Sequence, residues 1–274
     1  MLSHLWFYKM STPQSFSSIE LANRIGIDFL SGIMCGIVVA PVLATVDKAV
    51  VENASGKSSL TQSVKNSICE IVRNPFVYMS SFEFLWILCV YGMTYMAFNA
   101  TDSLCKIFHV NDILPKLFFV TLVNMVASIM KDRAFAQKFG VSEKQKVRAI
   151  SLVIWLVRDV MTIASAFLLP PIVAAMLERY GMSPSHAINF AQLICPIIMQ
   201  LILTPIHLLG LDLSNFPEDT ARARIIRLFK LYPYTTFLRM IRMGIAYGVG
   251  GVGNKYARGT LHTMNEGADW DNRY

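Results

Sequence analysis

Residues 25–46 read IGIDFLSGIMCGIVVAPVLATV, bracketed by Arg24 on one side and by Asp47-Lys48 on the other. An α-helix rises about 1.5 Å per residue and the hydrocarbon core of a bilayer is about 30 Å thick, so a run of this length and apolarity predicts a membrane-spanning helix. Five more runs follow it, at about 82–100, 113–130, 149–177, 187–209 and 237–252. None keeps an apolar–polar alternation of period two over its length, which excludes strands and predicts an all-α membrane protein with six transmembrane helices. Prolines inside the runs (Pro41, Pro170-Pro171, Pro196, Pro205) are tolerated where neighbouring helices satisfy the freed carbonyls.

Composition agrees. Of 274 residues 54% are hydrophobic and only 16% charged, and the mean hydropathy is +0.46. That balance excludes disorder, a collagen-like fibre and an ordinary cytosolic enzyme. The five cysteines, Cys35, Cys69, Cys89, Cys105 and Cys195, have no metal-site or disulfide spacing and read as small buried apolar residues.

The connections alternate long and short, with the long ones on one side. Loop 52–80 holds three basic against two acidic residues, 131–148 six against two, and 212–235 four against three. On the other side 1–20, 102–116, 178–186 and 254–274 each balance. By the positive-inside rule the long loops share one compartment and both termini face the other. Amphipathic stretches at 60–72 and 217–231 predict interfacial loop helices. The basic excess sits in separate short loops beside spans, which argues against nucleic acid. No apolar run with a small-residue cleavage site marks a secretory signal; Lys9, with Ser and Thr and no acid before Glu20, is a faint match to a mitochondrial address, one expected to be retained.

Paired spans with long loops predict an N-terminal extension (1–20), three pseudo-repeats (about 21–110, 111–180 and 181–262) and a polar tail (263–274). Local matches accompany that rhythm: Gly32-x-x-x-Gly36 and Pro41 in the first span, Pro205 in the fifth, Leu156-Val157-Arg158-Asp159 in the fourth, and Leu238-Arg239-Met240-Ile241-Arg242-Met243-Gly244 followed by Gly248, Gly250, Gly251 and Gly253 in the sixth. Over about residues 20–262 the chain resembles the mitochondrial carrier family. The resemblance implies six tilted helices around a central cavity in the mitochondrial inner membrane, both termini in the intermembrane space. It also implies helix packing at Gly32, Gly36, Pro41, Pro205 and Gly248.

The chain departs from that family at the gates. Carriers close each odd helix with Pro-x-Asp/Glu-x-x-Lys/Arg; here the positions read Pro41–Val46, without charge, Ser128–Arg133, keeping the final base, and Pro205–Gly210, without an ion pair. At the opposite gate Asn99 and Asn254 stand where an acid is expected. The expected function is therefore a non-transporting accessory subunit of a larger assembly such as a respiratory-chain complex, with 266–274 (EGADWDNRY) as a clamp onto a partner. The alternative is a solute carrier for an anionic metabolite, with atypical gates.

Candidate gate or ion-pair residues are Asp47, Lys48, Asp132, Arg133, Arg158 and Asp159. Asp47-Lys48 reads either as a relocated gate or as a helix end capped by Gly56, and Lys131-Asp132-Arg133 either as a salt-bridge cluster or as a basic anchor. Arg239 and Arg242, three apart on one helix face, read as cavity residues for an anionic substrate or as contacts to phospholipid headgroups, cardiolipin among them. His186 and His207 have no partners at metal spacing, and no nucleophile motif or phosphate loop occurs. No catalysis and no cofactor is expected, and the partners expected are membrane lipids and complex subunits.

Overall fold

The computed structural model describes residues 18–141 and 147–266. The first seventeen residues, 142–146 and 267–274, including most of the expected clamp, lie outside the described residues.

Every regular element among the described residues is helical. Helix α1 (Ser18–Ala54) runs past the first apolar stretch at both ends. It stops where Gly56 takes φ of +76°, the amides of Gly56 and Lys57 turning back to the carbonyls of Asn53 and Glu52 at 3.1 and 3.0 Å. A left-handed glycine satisfies the last carbonyls of a helix at little steric cost. Amphipathic α2 (Leu60–Arg73) starts on Ser59, whose hydroxyl accepts from the Gln62 amide. A short α3 (Pro75–Met79) leads to α4 (Phe82–Ile107), then α5 (Ile113–Phe139).

The fourth and fifth apolar runs are not single helices. α6 (Ala149–Phe167) gives way to α7 (Leu169–Arg179) at Leu168, and α8 (Pro184–Ile198) to α9 (Gln200–Asn215) at Met199. Pro170-Pro171 removes two successive amide donors, and Pro196 removes one just before the second break. The loop helix and last span expected as separate pieces are instead one rod. α10 (Ala221–Gly244) continues through a π-helical segment, Ile245–Gly251, into α11 (Val252–Glu266).

Five segments are long and apolar enough to cross a membrane: Ser18–Ala54, Phe82–Ile107, Ile113–Phe139, Ala149–Arg179 and Pro184–Asn215. The expected sixth, 237–252, carries Arg239 and Arg242 and is divided between α10 and the π-segment; it is not among them. The rods close a ring in which α1 packs on α4, α4 on α5, α5 on α6, α6 on α9, α9 on α10, and α11 back on α1. Polarity is inverted relative to a water-soluble bundle. Asp28 is completely buried while Val38, on the same helix, is 64% exposed, and Phe118, Phe119, Val153 and Ile202 also face outward. Apolar exteriors around polar interiors belong in lipid, and the chain is a multi-pass membrane protein.

Close packing explains most of the expected small residues. A methyl at Gly32 would stand 2.7 Å from the Met96 backbone nitrogen, and one at Gly36 3.1 Å from that of Gly92, so both let α1 approach α4. Pro205 leaves the Leu201 carbonyl without its helical donor, and the Tyr232 hydroxyl donates to it at 3.0 Å. Pro41 lies inside α1, its own carbonyl accepting from Thr45 Oγ1 at 2.9 Å. Gly248, expected in the packing role, has ordinary room, 3.4 Å to Leu193; the tight position is Gly250, against Tyr95.

Candidate functional site: a central cavity between two polar layers

The ring encloses a cavity of about 1910 Å³. Its walls carry Tyr91, Thr94, Tyr95, Asn124, Ser128, Thr162, Gln192 and Tyr247, and it reaches the surface beside exposed Ile113, Tyr256 and Met264. A polar layer lies at each end. Asp28 and Asp47, one in each layer, are nineteen positions apart on α1, which at the helical rise is about 28 Å, close to a hydrocarbon thickness.

The floor, on the side of the basic loops, is an ion network across the ring. Asp47 of α1 lies 2.6 Å from Lys131 Nζ of α5 and 2.6 Å from Arg242 Nε of α10. Lys131 also lies 2.7 Å from Asp132. Arg158 of α6 reaches Asp132 at 2.6 Å, Asp159 at 2.5 Å and, through Nη1, His207 Nδ1 of α9 at 2.6 Å. An arginine only donates, so His207 accepts at Nδ1 and carries its proton on Nε2. Below the network, Val46, Val50, Phe135, Phe139, Trp155, Leu208 and Leu211 form a buried apolar plug. Gly210 admits the Trp155 ring, whose Nε1 would overlap any Cβ there.

The floor's charges do not balance. Lys131, Arg158, Arg239 and Arg242 face three carboxylates, Asp47, Asp132 and Asp159. The surplus cation is Arg239. Among the described residues it forms no ion pair; its Nε donates to Gln200 Oε1 at 3.2 Å. Arg239 is buried and lines the cavity. Asp159 lines it too, and its Oδ2, buried, has no hydrogen-bond partner among the described residues. Among the described residues, then, a cation without an acid and a carboxylate with one unsatisfied, buried oxygen both belong to the lining of one cavity.

The mouth, on the side of the termini, is a second network with narrower reach. Arg258 of α11 binds Asp28 of α1 at 2.7 Å and Asp102 of α4 at 2.6 Å, and Lys116 of α5 lies 2.5 Å from Asp102. His262 Nε2 lies 3.0 Å from Asp28. Asn99 and Asn254 exchange hydrogen bonds at 2.9 and 2.6 Å. Nothing in this layer comes from α6, α7 or α8 among the described residues.

The structure therefore gathers Asp47, Asp132, Arg158, Asp159, Arg239 and Arg242 of the expected residues at one level. Lys131 and Asp132 belong to the salt-bridge cluster, not to a surface anchor, whereas Arg133 is exposed and points away. Lys48 turns outward to Glu83, at 2.7 Å. Where the carrier motifs lack their charges, interhelical ion pairs are present at other positions and draw on both odd and even spans. Asp28, Lys116, His207 and Arg258 were not foreseen as site residues. Asp28 carried a signal that could have marked it, a charge inside an otherwise apolar span.

No curated protein and no solved structure gives a significant match to this chain. A family model described as "Probable citrulline exporter" matches residues 31–262. That match overturns the resemblance to the mitochondrial carrier family, and with it the expectation of a non-transporting accessory subunit. Since the match runs from within α1 to within α11 and covers well over half of the chain, the chain belongs to the probable citrulline exporter family.

Proposed function

We propose that the protein exports a small zwitterionic amino acid of the citrulline type, unaltered and without a cofactor, through the central cavity. The observation that carries this reading is that Arg239, which forms no ion pair among the described residues, and Asp159, whose buried Oδ2 accepts no hydrogen bond there, both line one cavity. An α-amino acid presents a carboxylate and an ammonium a few ångströms apart, and these are the complements of a surplus guanidinium and an unsatisfied carboxylate. Citrulline adds a neutral ureido tail, rich in donors and acceptors, which the walls can meet with Tyr91, Asn124, Gln192 and Tyr247.

In this reading the substrate is loaded from the loop side when the floor parts and leaves by the mouth, its charges competing for partners in the floor while it is held. Arg158 holds Asp132 and Asp159 together. A substrate ammonium taking Asp159 loosens that pairing, so occupancy of the chamber and movement of the floor are coupled. Substrate groups take over the bonds that the floor gives up, which keeps the cost of opening within reach of the binding energy. The plug around Trp155 and Phe135 keeps water and ions out meanwhile.

The topology we assign is six spans in three pseudo-repeats, the rod from α10 to α11 serving as the sixth. The alternation of long basic and short neutral connections supports it. The basic loops share one compartment and the termini the other. Helix α2 and the first turns of α10 lie in the interface, with exposed Arg222 and Lys230 toward lipid headgroups.

The test is counterflow of labelled citrulline in proteoliposomes. Arg239→Ala and Asp159→Asn should each cut the rate by about 100-fold, the cost of a buried charge-assisted bond. Uptake unaffected by both would reject the site. Wild-type protein inert toward every α-amino acid would reject the function.

A further inference from the structure

Gln200 is completely buried and, unlike Arg239, does not line the cavity. It is the first residue of α9, directly after the break at Met199. Both ends of its amide are engaged: Oε1 accepts from Arg239 Nε at 3.2 Å, and Nε2 donates to the Pro196 carbonyl, on the far side of the break, at 3.1 Å. A guanidinium offers one edge made of Nε and one Nη, and another made of both Nη groups. With Nε committed to Gln200, the edge left for a two-pronged bond to a carboxylate is the end-on one.

The break matters because of what hangs from it. α7 and α8 pack on each other around Ala174, Ala187, Ala191 and Cys195, a small cluster separate from the main core. The roots of this hairpin are the breaks at Leu168 and Met199. Among the described residues the mouth network takes nothing from α7 or α8, so it does not tie the hairpin to the opposite wall. Gln200 links its second root to the arginine that meets the substrate.

Resting on the transport reading above, we propose that Gln200 is a positioning residue: it aims Arg239 end-on at the substrate carboxylate and ties that contact to the root of the α7–α8 hairpin. Gln200→Leu leaves Arg239 free to turn and the Pro196 carbonyl without its donor. Gln200→Glu hands Arg239 an internal carboxylate in place of the substrate's.

The experiment is counterflow of labelled citrulline by the full-length protein in liposomes, with KM and Vmax measured separately. Gln200→Leu should raise KM by about tenfold or more, the loss of one bond to a charged group, with a smaller change in Vmax. Gln200→Glu should raise it further. Citrullinamide, which lacks the carboxylate, should inhibit wild type and Gln200→Leu equally. A folded Gln200→Leu with unchanged KM overturns the proposal. If that variant does not fold, Gln200→Glu, of the same size and polar, decides in its place: a raised KM supports the proposal and an unchanged one overturns it.

Should the wild type move no α-amino acid, the transport reading fails and the link is judged without substrate. Spin labels at Tyr180→Cys and Phe108→Cys, both exposed at the mouth, report the distance from hairpin to α4 in a background lacking the native cysteines. A broader distribution in Gln200→Leu than with Gln200 intact supports the link to the hairpin root; identical distributions overturn it.

Discussion

The floor and the mouth are built from the same chemistry and do different things. Each sets an arginine between two carboxylates, Arg158 between Asp132 and Asp159, Arg258 between Asp28 and Asp102. The floor takes residues from α1, α5, α6, α9 and α10, reaching across the ring, and rests on an apolar plug. The mouth ties α1, α4, α5 and α11 into one wall and leaves the α7–α8 hairpin outside. A network that spans a ring closes it, whereas one confined to a wall stiffens the wall and leaves an opening beside it. The two layers are buried to a similar degree, Asp28 completely, and differ in how many helices lose a link when one charge is removed. That difference sets the size of each expected effect.

The largest belongs to Asp47. Asp47→Leu leaves Lys131 and Arg242 buried with one acid fewer, and thermal unfolding in detergent should show a loss of about 3–5 kcal/mol. Removing a cation with it, as Asp47→Leu/Arg242→Leu, should recover part of that. Stability unchanged by the single substitution would mean that the floor carries no such load. Next comes the weld between α1 and α4. Gly32→Ala places a methyl 2.7 Å from a backbone nitrogen and should cost about 1–3 kcal/mol by forced displacement. Arg258→Ala should cost about 1–2 kcal/mol, less than Asp47→Leu because Asp102 keeps Lys116 and Asp28 keeps His262; a cost equal to that of Asp47→Leu would erase the distinction between the layers.

The comparison also makes a claim about access. Asn124→Cys, on the cavity wall, should react with an impermeant thiol reagent added on the terminus side and not on the loop side. Labelling from the loop side alone would invert the assignment of floor and mouth. The smallest effect lies outside both layers. Arg148 pairs with Glu218 at 2.7 Å on the loop surface, where Glu218 is 89% exposed, so Arg148→Ala should shift stability by no more than about 0.5 kcal/mol.

How much was legible beforehand depended on the range of the interaction. Gly56 as the stop of α1, Ser59-led α2 and the glycines facing α4 follow from local conformational preference or from spacing along one helix. Asn99 and Asn254 were visible as replacements for acids, yet 155 positions apart nothing local says that they hydrogen-bond to each other. Arg158-Asp159 was visible as a charged pair in an apolar run; its other partners, Asp132 and His207, come from neighbouring rods. The absence of familiar gate motifs pointed away from transport, because a motif records which position on a helix holds the charge. Closing a ring requires only that charges meet at one depth.

From the chain alone came the class of molecule, an all-helical multi-pass membrane protein, and the apolar runs that make its rods. These depend on transfer to lipid, on helix rise and on local caps, all of which act within a few residues of sequence. Tertiary structure decided that two of the runs break, that the last loop helix and span are one rod, and that Arg239 is left without an acid while Asp159 keeps an open oxygen. Those depend on which side chains meet across the ring, and only the packing of separate helices brings such partners to hydrogen-bond distance.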